Sequence, residues 1–138
     1  MKKNLLFIMS NLECGGAEKA LISLLQTIDY SKYNVDLLLF TKKGLFLNKV
    51  PKEVNILGEP FGYKYYDMSV KQAVVELLSK GKIKDAFGRL VSMFIYKIEK
   101  DSSRCNQRVW KYISSMFGNL DKEYDVAIGY LEGHSIYY

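Results

Sequence analysis

The chain has 138 residues, of which 49% are hydrophobic, and a net charge of +5. This length suits one hydrophobic core and is short for two ordinary domains. No window approaches the roughly 18 uninterrupted apolar residues of a membrane-spanning helix, and the apolar run 5–9 is shorter than the ~7–15 residues of a secretion signal. Cys14 and Cys105 lack the spacing of a disulfide framework or a zinc site. These features predict a cytoplasmic protein.

The N-terminal part of the chain predicts a βαβ unit. Residues 4–10 form an apolar run that is typical of a buried parallel strand. A second apolar run, 35–40, follows a polar turn, and a weaker third strand is predicted at 54–57. Between the first two runs the apolar residues recur every three or four positions, which predicts an amphipathic helix. Its predicted buried face comprises Ala17, Ala20, Leu21, Leu24, Leu25 and Ile28.

The middle of the chain is helix-rich from about residue 67 to residue 118. After an aromatic loop, the pattern predicts helices at 70–79, 84–100 and 104–117, and strand character returns at 124–131. The predicted fold is α/β: a Rossmann-like three-layer α/β/α domain with a mainly parallel sheet and a helical insertion. Because the chain stops soon after its last predicted strand, where a covering helix normally follows, we expect a truncated single domain spanning residues 1–138.

Two adjacent glycines, Gly15 and Gly16, lie where the first predicted strand meets the first helix. In open α/β sheets such a turn exposes backbone N–H groups at a positive helix terminus, where anions bind. Neither the dinucleotide pattern G-x-G-x-x-G nor the P-loop pattern G-x-x-x-x-G-K-[ST] is present. Two explanations therefore stay open, namely close approach of a ligand and close packing of the helix against the strand.

The stretch "NLLFIMSNLECGGAEKALISLL" resembles the N-terminus of bacterial family 4 glycosyltransferases, which have the GT-B architecture of two Rossmann-like domains. Residues 15–19 match that family's G-G-A-E-[RK] pattern in full. A second stretch, "YDVAIGYLEG" at 124–133, is similar to a strand and acidic turn of the same N-terminal domain, whereas residues 60–120 match by pattern only.

The resemblance implies the N-terminal, acceptor-side half of a GT-B fold. Such an enzyme is a retaining glycosyltransferase that moves a sugar from a nucleotide-sugar donor to a glycan or lipid-linked acceptor in cell-envelope polysaccharide synthesis. It implies that Gly15 and Gly16 contact the donor phosphate or sugar. Glu18 and Glu132 are the acceptor-binding candidates, although a carboxylate in the first turn of the helix, as at Glu18, equally suits a structural role at the helix dipole. Neither a metal nor another cofactor is expected. The donor-binding C-terminal domain, with its E-x7-E pair, is absent, so we expect this chain alone to be inactive.

Glu132 and His134 follow the last predicted strand and are the weak catalytic candidates. An exposed turn acid and a lone histidine without a partner are the plain alternatives. A different class of function also stays open: a stand-alone Rossmann-like module that binds an anionic ligand at the glycine turn.

Basic residues are concentrated in the segment 80–111, which holds nine Lys and Arg against three acids. The predicted helix 84–100 carries an apolar face formed by Phe87, Leu90, Val91, Phe94, Ile95 and Ile98. This pattern suits either a core helix with a solvated basic back, which we favour, or a helix lying on an anionic membrane, at the inner face of the plasma membrane. Nucleic acid is not expected, because no recognition motif is present. The membrane-facing candidates are Lys84, Arg89, Lys97, Arg104 and Arg108.

Overall fold

The computed structural model describes residues 1–60 and 62–130 and has an α/β fold. The strands are β1 (Lys3–Met9), β2 (Tyr33–Leu39), β3 (Asn55–Ile56) and β4 (Val126–Gly129). The helices are α1 (Gly16–Thr27), α2 (Tyr63–Asp67), α3 (Val70–Ser79), α4 (Ile83–Ile98) and α5 (Ser102–Ile113). Single 3-10 turns lie at Leu47–Lys49 and Ser114–Met116.

The described strands form one sheet in the order β3-β2-β1-β4, and all of its pairings are parallel. Strand β1 is central and pairs with β2 along its whole length, from Lys3 opposite Tyr33 to Met9 opposite Leu39. The predicted α/β class with a parallel sheet is therefore confirmed. Each predicted strand is present, although β3 shrinks to two residues.

Helix α1 packs on the sheet through Leu21, Ile22 and Leu25, which are buried with Phe7 and Leu37 in one apolar cluster. The predicted buried face is partly wrong, because Ala20 and Leu24 are exposed while Ile22 is buried. The face of α1 that packs on the sheet is therefore turned about the helix axis from the predicted one. It is centred on Leu21, Ile22 and Leu25.

Backbone contacts divide the described chain into two compact units. The first, called here the sheet unit, comprises residues 1–59 and 120–130, and the second, the helical unit, comprises residue 60 and residues 62–119. The predicted helices of the middle segment correspond to α3, α4 and α5, whereas α2 lies where the sequence predicted a loop. Among the described residues, no helix combines the length and the apolar character needed to cross a bilayer.

The helical unit has its own core, to which α5 contributes one apolar face. Val109 and Ile113 of α5 are buried against Ala73 and Leu77 of α3 and against Tyr65 of α2. Tyr65 is buried at 1% exposure, which explains why an aromatic stretch that reads as a loop forms a short helix. Its ring supplies apolar area that only tertiary packing can use.

Helix α4 differs from α5 in that its apolar face is exposed. Its apolar stripe, which we call the α4 stripe, is exposed at Ile83 (69%), Phe87 (62%), Leu90 (38%), Phe94 (57%) and Ile98 (76%). Four of the six residues of the predicted core face are therefore exposed, and the favoured prediction is wrong for them. The other two, Val91 and Ile95, are half-buried, and Ile95 packs against the core.

Small and polar residues form the buried face of α4 instead. Gly88 lies against the backbone of α5, where a Cβ atom would overlap the carbonyl oxygen of Tyr112. Arg89 is only 5% exposed and Ser92 is fully buried on the same side of the helix. A close helix-to-helix contact and a buried cation therefore fix the rotation of α4, and they leave the apolar stripe outside.

The guanidinium of Arg89 binds the C-terminal end of α2. Its Nε donates to the carbonyl oxygen of Tyr65 at 2.8 Å, and one Nη donates to those of Tyr66 at 2.8 Å and Met68 at 3.0 Å. The other Nη donates to the hydroxyl of Ser92 at 3.3 Å. These carbonyls lie at the C-terminal end of α2, where the negative end of the helix favours a cation. Arg89 therefore cannot face a membrane, which corrects its place among the candidates.

A buried carboxylate ties the sheet unit together at the amino edge of the sheet. Asp36 of β2 is 2% exposed and accepts hydrogen bonds from Tyr124 Oη at 2.6 Å, Lys122 Nζ at 2.9 Å and Asn55 Nδ2 at 3.1 Å. Burial alone would raise the pKa of Asp36, but these three hydrogen bonds outweigh it and hold the pKa below its ordinary value. The carboxylate thus links β2 to β3 and to the segment that leads into β4.

Replacing Arg89 with Lys is expected to lower the free energy of unfolding by on the order of 2 kcal/mol, because an ammonium cannot donate to three separated carbonyl oxygens in a fixed fork. Denaturant unfolding followed by the fluorescence of Trp110, which is buried in the helical unit, measures the change. The exposed Arg104→Lys is the matched control, with an expected change within about 0.5 kcal/mol. Equal losses in both variants would contradict this role of Arg89.

Asp36→Asn is expected to lower stability at pH 7 by on the order of 2 kcal/mol, because a charged acceptor of three hydrogen bonds is lost. The pKa of Asp36 is lowered on folding, so its contribution is present above the unfolded pKa of about 4 and disappears as the pH falls through the lower folded value. Urea unfolding at a series of pH values should show the wild type and the variant converging towards low pH. Asp121→Asn, which removes an exposed acid, should track the wild type; a constant gap for Asp36→Asn would refute the linkage.

Candidate ligand-binding turn at the carboxyl edge of the sheet

The order of the strands singles out one place on the sheet. From β1 the chain proceeds to β2 and β3 on one side, whereas β4 lies on the other side of β1. The connections therefore diverge between β1 and β4, and in open parallel sheets ligands bind beyond the carboxyl ends of the strands at such a switch point. The segment that follows β1 contains Gly15 and Gly16.

Neither glycine is required by the backbone conformation. Gly15 is the N-cap residue of α1 with φ −161° and ψ 171°, an extended conformation that any residue adopts. The described glycines with positive φ are Gly44, Gly81 and Gly118. A Cβ atom on Gly16 would meet no atom within 4 Å. Close packing of the helix on the strand therefore does not account for Gly16.

The side chain of Glu18 folds back over the turn. A Cβ atom on Gly15 would overlap the Oε2 atom of Glu18, so the carboxylate lies directly above this glycine. Gly15 offers no side-chain cap to the first turn of α1, where the N–H groups carry the positive end of the helix dipole. The carboxylate of Glu18 thus sits at the start of α1, beside Gly15, where negative charge is favoured.

The loop that carries the glycines is anchored by Leu12, which is completely buried. Its N–H donates to the carbonyl oxygen of Lys43 at 3.0 Å, and its own carbonyl accepts from the N–H of Phe46 at 3.0 Å. Gly44 has φ +127° and approaches so closely that a Cβ atom would overlap the backbone of Leu12. Any side chain at position 44 would therefore push this loop out of place.

Leu12 and Gly44 were not predicted from the sequence. Gly44 follows two lysines after β2 and carries no motif, so the only signal for it was a glycine at the carboxyl end of a strand. Its importance depends on which loop lies beside it, and that is fixed by the parallel register of β1 and β2.

Further contacts join the loops after the first three strands. The N–H of Thr41 donates to the carbonyl oxygen of Ser10 at 2.9 Å, and the Nζ of Lys43 lies 3.1 Å from the carboxylate of Glu13. The N–H of Lys42 donates to the carboxylate of Glu59 at 2.5 Å. The loops at the carboxyl edge of the sheet unit are therefore held together by hydrogen bonds and an ion pair, and these contacts fix the position of the loop that leads into α1.

Two of the remaining predicted residues, Glu132 and His134, fall outside the described residues. The others belong to the helical unit. Lys84, Lys97 and Arg104 are exposed on α4 and α5, and Arg108 pairs with Glu99 at 2.9 Å.

A concavity of about 430 Å³ also occurs in the sheet unit, but it lies at the opposite, amino edge of the strands. It is lined by Asp36, Asn55 and Lys122, which already bind one another. Its polar groups therefore serve the fold, and the glycine turn is the better candidate for ligand binding.

Comparison of the chain with protein-family models, with curated proteins and with solved structures finds no match in any of the three.

Proposed function

We propose that the chain is the N-terminal, acceptor-side domain of a retaining GT-B glycosyltransferase, which transfers a sugar from a nucleotide-sugar donor to a glycan or lipid-linked acceptor. The observation that carries this proposal is the open space above Gly16 at the switch-point edge of a parallel sheet. The G-G-A-E-K stretch at 15–19 adds the sequence resemblance to bacterial family 4 enzymes.

In this proposal the first turn of α1 receives the diphosphate or the transferred sugar of the donor. The N–H groups at the start of α1 and the dipole of this helix, which is 12 residues long, favour negative charge at that point. The absence of side chains at Gly15 and Gly16 lets a bulky ligand reach the backbone. Glu18 then serves as a hydrogen-bond acceptor for sugar hydroxyls at the rim of the same turn.

In this proposal the side chain of Glu18 moves before a phosphate binds at the turn. Its carboxylate lies over Gly15, so an approaching phosphate meets a negative charge at close range. The side chain has to swing away before a phosphate can take that place, and this movement frees the carboxylate to bind a sugar hydroxyl. Since the donor-binding wall of the cleft belongs to the second domain in the resembled family, we expect weak donor binding and no sugar transfer by these 138 residues alone.

A second candidate function uses the same turn without sugar chemistry. A stand-alone module that binds anions needs only the uncapped start of α1, which this chain has. The two proposals differ in what the ligand must carry. The module responds to any phosphate, whereas the transferase domain responds best to a phosphate that bears a sugar.

Gly16→Val is expected to weaken the binding of UDP-glucose or GDP-mannose by about tenfold, because the new side chain fills the approach to the backbone. Amide shifts of Gly15, Ala17 and Glu18 in titrations followed by two-dimensional NMR report the binding. Ala20→Val is the matched control, since it adds the same side chain at an exposed position one turn further along α1. Stability should change by no more than about 0.5 kcal/mol in either variant.

Inorganic pyrophosphate at the same concentrations separates the two functions. Larger shifts with a nucleotide sugar than with pyrophosphate support the transferase domain, and equal shifts support the anion module. Unchanged amide shifts at residues 15–18 with every probe would contradict both.

Glu18→Gln is expected to raise the affinity for pyrophosphate by about fivefold, because a carboxylate some 4 Å from the anion opposes binding by about 1 kcal/mol in water. Isothermal titration calorimetry at low salt measures this gain. Glu53→Gln makes the same charge change at the amino edge of the sheet and should leave the affinity unaltered. A gain of similar size in both variants would mean that only net charge matters.

A further inference from the structure

The α4 stripe is an apolar surface that the described chain does not cover. Its five members recur at spacings of three and four residues, so they lie along one face of a helix of 16 residues, about 24 Å in length. All five are exposed, between 38% and 76%. A continuous apolar surface of this kind, with polar surroundings, marks a place of interaction.

The packing of α4 shows that this exposure is built into the helix. Gly88 and Arg89 fix the opposite face, through the close contact with the backbone of Tyr112 and through the three carbonyl oxygens at the end of α2. Rotating α4 to bury Phe87 and Phe94 would pull the guanidinium from those carbonyls and leave a buried cation or buried carbonyls without partners. The stripe is therefore held outward by hydrogen bonds on the other side.

The exposed charged side chains of α4 are both cations. Lys84 in the first turn and Lys97 in the last turn are exposed, and Lys100 follows two residues after the helix ends. The nearby acids are directed elsewhere: Asp85 accepts a hydrogen bond from Ser115 at 3.2 Å, and Glu99 pairs with Arg108 at 2.9 Å. The stripe is thus an apolar band with cations at both ends, which complements an anionic surface.

We propose that α4 lies flat on an anionic membrane surface, with the α4 stripe inserted among the acyl chains and the lysines among the headgroups. The side chains of the stripe carry no hydrogen-bond donor or acceptor. A specific protein interface normally needs about one hydrogen bond per 100–200 Å², whereas the acyl region of a bilayer needs none. This surface is separate from the glycine turn, so the inference goes beyond the proposed function and does not depend on it.

A second copy of the chain is a poorer occupant of the same surface. A two-fold antiparallel pairing of α4 with itself that sets Phe87 against Phe94 also sets Lys84 against Lys97, because both pairs are symmetric about the same point of the helix. Four lysines of like charge would then meet along one seam. Anionic lipid satisfies the same cations instead.

The test uses the whole 138-residue chain and two kinds of vesicle, phosphatidylcholine alone and phosphatidylcholine mixed with phosphatidylglycerol. Co-sedimentation at low salt should occur with the mixed vesicles and weaken as salt is added. Phe87→Ser with Phe94→Ser should reduce partitioning about 100-fold, roughly tenfold for each ring. The matched control, Leu24→Ser with Leu45→Ser, removes two exposed apolar side chains from the sheet unit and should bind as the wild type does.

The contribution of charge is measured in the same way. Lys84→Gln with Lys97→Gln should weaken binding to the mixed vesicles about 25-fold, roughly fivefold for each cation. Lys49→Gln with Lys52→Gln makes the same change in net charge on the sheet unit and should have little effect. Equal weakening by both pairs would overturn the role of α4.

Spectroscopy locates the inserted face. Phe94→Trp should give a blue-shifted emission with mixed vesicles, above the constant signal of the buried Trp110, whereas Tyr112→Trp on α5 should not. The proposal is overturned if mixed vesicles sediment no more chain than pure phosphatidylcholine does at low salt. It is also overturned if the Phe87 and Phe94 substitutions convert a dimer to a monomer in sedimentation velocity without changing vesicle binding.

Discussion

The central position of β1 is the constraint on which the rest of the sheet unit depends. This strand pairs in parallel with β2 on one edge and with β4 on the other, so its second half, from Leu6 to Met9, is buried and apolar. The chain continues from β1 to β2 on one side, whereas β4 lies on the other side of β1. The loop after β1 therefore emerges at the switch point of the sheet. The glycine turn owes its place to this order of strands.

Two buried ionic groups then fix what the apolar core cannot specify. Asp36 connects β2 with Asn55 of β3 and with Lys122 ahead of β4, which sets the strands in register at the amino edge. Arg89 joins α4 to the end of α2 in the helical unit. Apolar contacts are non-directional and therefore allow several arrangements. A buried charge allows only the arrangement that satisfies its hydrogen bonds, because leaving it without partners costs several kcal/mol.

The two helices with basic amphipathic patterns illustrate what a sequence pattern leaves undecided. In α5 the apolar residues Val109 and Ile113 are core, as an amphipathic helix predicts. In α4 the apolar stripe lies outside, since Gly88 contacts α5 and Arg89 binds the end of α2 on the opposite face. Periodicity identifies a face but not its partner, because a bilayer and a protein core are both apolar. That ambiguity is the basis of the membrane proposal.

The sequence by itself determined the α/β class, the parallel strands, α1 and the three longer helices, because strand and helix periods are local properties of the chain. It also indicated Gly15, Gly16 and Glu18 as site residues, and their role in binding stays a prediction. Only the tertiary structure decided the roles of Leu12, Gly44 and Arg89 and the outward rotation of α4, since each depends on a neighbour distant in sequence. Local periodicity specifies an element and its apolar face, whereas the partner of that face is chosen by close contacts and buried hydrogen bonds between elements.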